Sequence, residues 1–166
     1  MRIIIQLFIL ALISCNNVDP KTKTQLMDFG VFTIETPATW TKLKSQGIDS
    51  YVGRIAIDSK DTLVFDLGPY SNTLTEIQTV FVENRKVIDP DKYKKTNISW
   101  YSIDGHISKI VYPIKSGFGT TGIYIDSLWP SSIGKDNFNL YGIDLNPTNE
   151  KLFLQSLKTL KFHKSK

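Results

Sequence analysis

The chain has 166 residues with 20 basic and 16 acidic side chains, so its formal net charge is only +4. A charge this small does not indicate a nucleic-acid partner, because nucleic-acid-binding domains concentrate many basic residues on one surface. The single cysteine excludes an intrachain disulfide and a cysteine-rich metal site, and no other pattern suggests a metal or a cofactor.

The first 14 residues have the layout of a secretory signal peptide. Arg2 is followed by a largely apolar run over 3–13, which is shorter than the about 20 residues that a membrane-spanning helix needs. The run leads into Leu12-Ile13-Ser14-Cys15, which resembles the bacterial lipobox. The resemblance implies a lipoprotein that is cleaved before Cys15 and carries diacylglyceryl and acyl groups such as palmitate on that residue. Several acyl chains anchor a protein stably to a lipid bilayer.

Three segments follow from this interpretation. We expect residues 1–14 to be the signal peptide, 15–25 the lipidated N-terminus and tether, and 26–166 a single domain. In lipoproteins of two-membrane bacteria, aspartate just after the cysteine often signals retention at the inner membrane. Here Asn16 follows the cysteine, which favours the outer membrane over the inner membrane. Some envelope lipoproteins reach the cell surface through acidic residues near the cysteine. Residues 16–19 contain only one acid, Asp19, which favours the periplasmic face.

Alternating β-forming residues predict strands in the first half of the domain. One strand covers 30–35, and the runs 51–57 and 62–67 predict a hairpin because turn-forming residues separate them. Residues 74–84 fit a helical apolar stripe, although Val80–Val82 would also suit a strand. We expect a helix there.

The clearest local pattern is Asp104-Gly105 between two alternating runs. Asp-Gly favours a type I′ hairpin turn, because both central residues of that turn need a positive φ. A two-residue loop places Ile103 opposite His106 and Trp100 opposite Lys109. We expect the Lys109 stem to lie across the Trp100 ring.

A glycine-rich loop over 115–119 precedes two further strands, predicted for 121–128 and 137–145 with a loop over 129–136 between them. The chain then closes with a helix, for which Asn146 is a favourable N-cap. Together the elements predict an α+β fold. Its largely antiparallel sheet has about six to seven strands, and the C-terminal helix, with the helix over 74–84 if that forms, packs on one face.

The two ends of the domain resemble those of PsbP/Mog1-like domains. The opening Phe32-x-Ile34-x-x-Pro37-x-x-Trp40 and the closing amphipathic helix that ends in Leu160-Lys161-Phe162 carry the resemblance. It implies a single α+β domain with a central antiparallel sheet, often exported and usually a non-catalytic accessory or binding protein. It transfers no binding residue to this chain.

Three patterns that suggest catalysis have plainer explanations. Residues 117–122 spell G-x-G-x-x-G, but a dinucleotide site needs a helix after the glycines, and 123–125 are strand-like. Ser132-x-x-Lys135 and Lys115-Ser116-Gly117 occur in the reverse of the order that penicillin-binding proteins use. His106 follows Asp104 by two residues, but no nucleophile is fixed near them in the sequence.

An anion site is the one binding site that the sequence suggests. If the strands of the second half form an up-and-down meander, the glycine loop lies near the start of the closing helix. Helix N-termini favour anions, and nearby lysines would add positive charge. The predicted site consists of Lys94, Lys95, Lys115, Phe118 and Asn146.

These observations predict a membrane-tethered envelope lipoprotein with a non-enzymatic binding or accessory domain. Its partners would be the bilayer and an unknown protein or small molecule. The alternatives are a small periplasmic hydrolase that uses aspartates with His106, or a purely structural envelope component.

Overall fold

The computed structural model describes residues 23–45, 47, 50–74, 96–132 and 134–163. These residues form two antiparallel sheets, ordered β1-β2-β10 and β3-β4-β5-β9-β8-β7-β6, and a C-terminal helix α1. The elements are β1 (Thr24–Asp28), β2 (Phe32–Pro37), β3 (Thr41–Leu43), β4 (Tyr51–Ala56), β5 (Thr62–Gly68), β6 (Thr96–Ile103), β7 (His106–Pro113), β8 (Thr120–Ser131), β9 (Gly134–Ile143), α1 (Pro147–Leu157) and β10 (Lys161–Phe162). The predicted fold of mainly antiparallel sheet with a C-terminal helix is therefore confirmed.

The prediction of a second helix falls almost wholly on 75–84, outside the described residues. Its first residue, Leu74, has a φ of +57°, which is not helical.

Side chains of the seven-stranded sheet alternate between two faces. The inner face carries the apolar side chains that pack against the small sheet and α1, and the opposite one is the outer face. Phe32 of the small sheet lies fully buried at the centre, with its ring centroid 5.0 Å from those of Phe65 and Phe138. The main inner-face residues are Leu63, Phe65, Ile123, Ile125, Phe138 and Leu140.

The Asp104-Gly105 hairpin forms in the predicted register. Ile103 pairs with His106 and Trp100 with Lys109. The turn has φ values of +50° at Asp104 and +81° at Gly105, as a type I′ turn requires. The strands β6 to β9 follow one another as neighbours in the sheet, so the predicted meander is also present.

The predicted stacking of Lys109 on Trp100 is wrong. The Lys109 ammonium lies 4.9 Å from the ring centroid of Tyr124 on the next strand, while the Trp100 side chain is 64% exposed. Lys109 lies between the edge strand β6 and strand β8, and the ring that β8 offers, Tyr124, is buried. Burying the stem between two strands removes more apolar surface from water than covering a ring at the sheet edge.

The loop predicted for 129–136 is also wrong. Strand β8 continues to Ser131, and β9 begins at Gly134, with Trp129 paired to Asp136. The pairing shifts register between Ile125 and Trp129. This irregularity interrupts the alternation of apolar residues. The prediction, which relied on that alternation, therefore placed the end of the strand too early.

The closing helix begins as predicted and ends earlier. The Asn146 side chain accepts a hydrogen bond from the Thr148 amide at 3.0 Å, with Pro147 at the first helical position. The helix ends at Leu157, and the Leu160-Lys161-Phe162 segment that was expected to close it enters β10 instead. Phe162 then reaches the core, where its ring lies 5.1 Å from that of Phe138.

The small sheet takes in two residues of the predicted tether. Thr24 and Gln25 belong to β1, and the Gln25 side-chain amide donates to the Trp40 carbonyl oxygen at 2.7 Å. The first strand of the small sheet thus begins before residue 26.

Candidate functional site

The glycine loop and the helix start are neighbours, as the predicted anion site requires. The Ser116 hydroxyl and the Gly117 amide donate to Glu150 in the first turn of α1, at 2.8 and 3.1 Å. The Lys115 ammonium lies 4.2 Å from the centroid of the Phe118 ring. The other two members of the predicted site, Lys94 and Lys95, lie outside the described residues.

The amides at this place already donate to carboxylates of the chain. The backbone amide of Gly119 donates to the Asp144 carboxylate at 2.6 Å, and the backbone amide of Asn146 donates to the Asp61 carboxylate at 2.7 Å. With Glu150 on Gly117, three carboxylates take the positions that a bound anion would use. The anion site stays a prediction, and an added anion would have to displace or tolerate these charges.

The Asp58–Asp61 turn of the first hairpin caps the helix. The Asn149 side-chain amide donates to Asp58 at 2.7 Å and to the buried Asp61 at 2.8 Å. Backbone hydrogen bonds from Asp61 and Lys60 lower the pKa of the Asp58 carboxyl. Negative charge near a helix N-terminus is stabilising, so this acidic cluster has a structural role.

Among the described residues, His106 has none of the partners that a catalytic base needs. Its ring packs edge-on against Phe162, with 5.7 Å between the centroids. The expected acid, Asp104, accepts hydrogen bonds from the Phe162 amide at 2.8 Å and from the Lys161 ammonium at 3.2 Å. These bonds, the backbone one first, lower the pKa of Asp104. Within the described part of the chain, no carboxylate or hydroxyl hydrogen-bonds the His106 ring.

The two sequence motifs do not assemble a catalytic site. The G-x-G-x-x-G segment runs into strand β8, so no helix N-terminus follows the glycines. Ser132 follows β8 and Lys135 lies at the start of β9, while Lys115-Ser116-Gly117 lie before β8, so the 12-residue strand separates the two motifs. No group of three potential metal-ligating side chains comes together among the described residues.

A row of polar side chains crosses the outer face, and no pattern in the sequence indicates it. Lys109, Tyr124, Asn139 and Asp66 are successive partners across β7, β8, β9 and β5. Burial lowers the pKa of Lys109, while burial and the charge of Asp126 raise the pKa of Tyr124. Strand alternation predicts which residues share a face, but only the register brings these four together.

Two acceptors in this row have no hydrogen-bond donor. The side-chain amide nitrogen of Asn139 donates to the Asn72 carbonyl at 3.0 Å, but its side-chain oxygen and one carboxylate oxygen of Asp66 are buried without a partner. A hydrogen-bond donor could pair with them. Both oxygens are shielded from solvent, so this row is not an open binding site.

The open edge of the large sheet presents apolar side chains to solvent. Ile98 and Trp100 of β6, with Ile107 of β7, lie on the outer face and are 49%, 64% and 75% exposed. We call these three residues the edge patch. Ile107 lies diagonally across the ladder from Trp100, within reach of a large ring. An exposed cluster of this kind is typical of an interaction surface.

No known protein family and no curated protein matches the chain. In the described part of the chain, no helix is both long enough and apolar enough to cross a membrane. The residue predicted to carry lipid, Cys15, lies outside the described residues.

Proposed function

We propose that this chain is a bacterial envelope lipoprotein, tethered through acyl chains on Cys15, whose domain binds another polypeptide without catalysing a reaction. The lipobox-like Leu12-Ile13-Ser14-Cys15 supports the tether. Asn16 after the cysteine supports the outer membrane, and the single acid within residues 16–19 supports its periplasmic face. The PsbP/Mog1-like pattern at the ends of the domain also belongs to this proposal, because such domains are usually accessory or binding proteins.

The observation that carries the binding role is the edge patch. Its three large apolar side chains are between 49% and 75% exposed and share one face of a two-stranded hairpin. The hairpin is restrained at its turn, since the Asp104 carboxylate accepts a hydrogen bond from the Phe162 amide of β10. A surface restrained in this way loses less conformational entropy when a partner covers it.

The catalytic alternative has less support. It relied on His106 together with a carboxylate, and the nearby Asp104 is bound to Phe162 and Lys161 instead. The edge patch, by contrast, needs no chemistry beyond the exclusion of water.

Site-specific cross-linking tests the binding role. A photoreactive amino acid in place of Ile107, in the full chain and in cells, should form an adduct with another polypeptide. The same amino acid in place of Leu26, which is 64% exposed on β1, is the matched control and should form no comparable adduct. Equal labelling from both positions, or none from either, would contradict a binding role for the edge patch.

A further inference from the structure

We propose that β6 pairs antiparallel with β6 of a second copy of this chain, which joins two seven-stranded sheets into one. The inference rests on the proposed function and deepens it, because it names the partner that covers the edge patch. Three observations carry it: an edge of the sheet that no other described strand covers, the backbone groups that this edge leaves without a partner among the described residues, and the way β6 complements itself.

The edge strand β6 lacks the features that keep sheet edges apart. Edge strands of soluble proteins are usually short, charged or interrupted by proline. The opposite edge fits this rule, since β3 has three residues and contains Lys42. Strand β6 has eight residues, Thr-Asn-Ile-Ser-Trp-Tyr-Ser-Ile, with no charge and no proline. A second copy can therefore approach it without like-charge repulsion.

The turn decides which backbone groups of β6 point outward. In a two-residue hairpin loop, the carbonyl of Ile103 and the amide of His106 form the closing hydrogen bond. Residues bonded to the partner strand alternate with residues whose amide and carbonyl point away from it. In β6 the groups that point to the open edge therefore belong to Thr96, Ile98, Trp100 and Ser102.

One register of two antiparallel β6 strands pairs these open groups and matches the side chains. With Ser99 opposite Ser99 of the second copy, Ile98 faces Trp100 of the second copy, and Trp100 faces its Ile98. On the other side of the sheet, Asn97 faces Tyr101 in the same reciprocal way. A register moved by one pairing step, with Trp100 opposite itself, would place Ile98 against the hydroxyl of Ser102.

The symmetry of this dimer suits a membrane tether. The two-fold axis passes between the two Ser99 residues, perpendicular to the sheet, so the inner faces of both copies point the same way. Because β1 belongs to the small sheet that packs on the inner face, the β1 strands of both copies lie on the same side of the joined sheet, which would let both tethers reach one bilayer. Confinement to one membrane raises the effective concentration of the two strands.

Disulfide trapping in native membranes tests the register. In Ser99→Cys the two new cysteines would have Cα atoms about 4.5 Å apart, within the range that a disulfide spans. Mild oxidation of the full chain should yield a thiol-sensitive species of twice the monomer mass. In the control Thr96→Cys, the two cysteines would lie six residues apart along the strands, about 20 Å, and should not link. The unsubstituted chain, whose only cysteine is Cys15, gives the background.

Added charge tests the contact independently. In the Ser99→Cys chain, Trp100→Lys should reduce the linked fraction at least tenfold, and Leu26→Lys should leave it unchanged. Trp100 and Leu26 are both 64% exposed, so neither change should unfold the domain, which resistance to proteolysis checks. A monomer alone, equal linking through Thr96→Cys, or an adduct of a different mass would overturn the dimer. An adduct of a different mass would contradict the dimer but leave the proposed binding function standing. If the photoreactive amino acid at Ile107 forms no adduct at all, both the dimer and the binding function are contradicted.

Discussion

Replacing Asp104 by alanine should remove the hydrogen bonds that join the turn of the β6–β7 hairpin to strand β10 of the small sheet. The Asp104 carboxylate accepts hydrogen bonds from the Phe162 amide and the Lys161 ammonium, and its side chain is 25% exposed. Charge-assisted hydrogen bonds contribute about 1.5–3 kcal/mol when shielded, and exposed ion pairs at most about 1 kcal/mol. Alanine also tolerates the φ of +50° less well than aspartate. We expect the free energy of unfolding to fall by about 2–3 kcal/mol.

The effect should depend on pH with a definite sign. The hydrogen bonds lower the pKa of Asp104 in the folded state, so its ionised form is favoured by folding. The stability it contributes is therefore present above the unfolded pKa of about 3.9 and is lost as the pH falls through the folded pKa.

Urea unfolding of a chain that begins at Lys23, followed by tryptophan fluorescence at pH 7 and pH 3, measures both effects. The matched variant Asp104→Asn keeps an acceptor and the turn conformation but loses the charge, so it should cost about 1 kcal/mol at pH 7. Its deficit relative to the unsubstituted chain should shrink at pH 3. A neutral Asp104→Ala, or a deficit that stays equal at the two pH values, would refute this role of the carboxylate.

Three further predictions concern stability. Gly105→Val should cost about 1–3 kcal/mol, measured by urea unfolding. Because a Cβ added at Gly105 would meet no atom within 4 Å, the expected cost comes from the φ of +81°, and a neutral result would contradict a strained φ. A chain that begins at Lys23 should unfold in one cooperative step. It should also resist thermolysin better than a chain that begins at residue 26, because the shorter chain lacks the Gln25 hydrogen bonds. Equal resistance of the two chains would contradict a role for these hydrogen bonds. Asp61→Ala removes the acceptor of two hydrogen bonds, from the Asn146 backbone amide and the Asn149 side chain. It should lower the free energy of unfolding by about 2–4 kcal/mol, measured by thermal unfolding. The control Lys60→Ala should not reproduce this loss.

Local rules were enough for the hairpins and the helix cap. Asp104-Gly105 specified its turn because few dipeptides adopt two positive φ values, and Asn146 with Pro147 specified the helix start. These signals involve contacts between near neighbours in the sequence. The register that places Trp100 opposite Lys109 followed from the turn alone.

Interactions between distant segments were not predictable in the same way. The small sheet joins β1, β2 and β10 from the two ends of the domain, and β10 has only two residues, too few to show any alternation. The choice of Tyr124 over Trp100 by Lys109 depended on which strand lies beyond β7. The sequence placed the glycine loop beside the helix start, but it did not reveal that Glu150, Asp144 and Asp61 already accept from the amides there. The edge patch required the strand order, because the sequence does not show that β6 has a neighbouring strand on only one side.

The tether at Cys15 is the central claim, and metabolic labelling with palmitate tests it most directly. The full chain should incorporate label, remain with the membrane fraction and resist extraction by high salt, because acyl chains hold it by burial of apolar surface and not by charge. Cys15→Ala should incorporate no label and accumulate as an uncleaved precursor or leave the membrane. Label that persists in Cys15→Ala, or an unlabelled chain of mature size, would contradict the account.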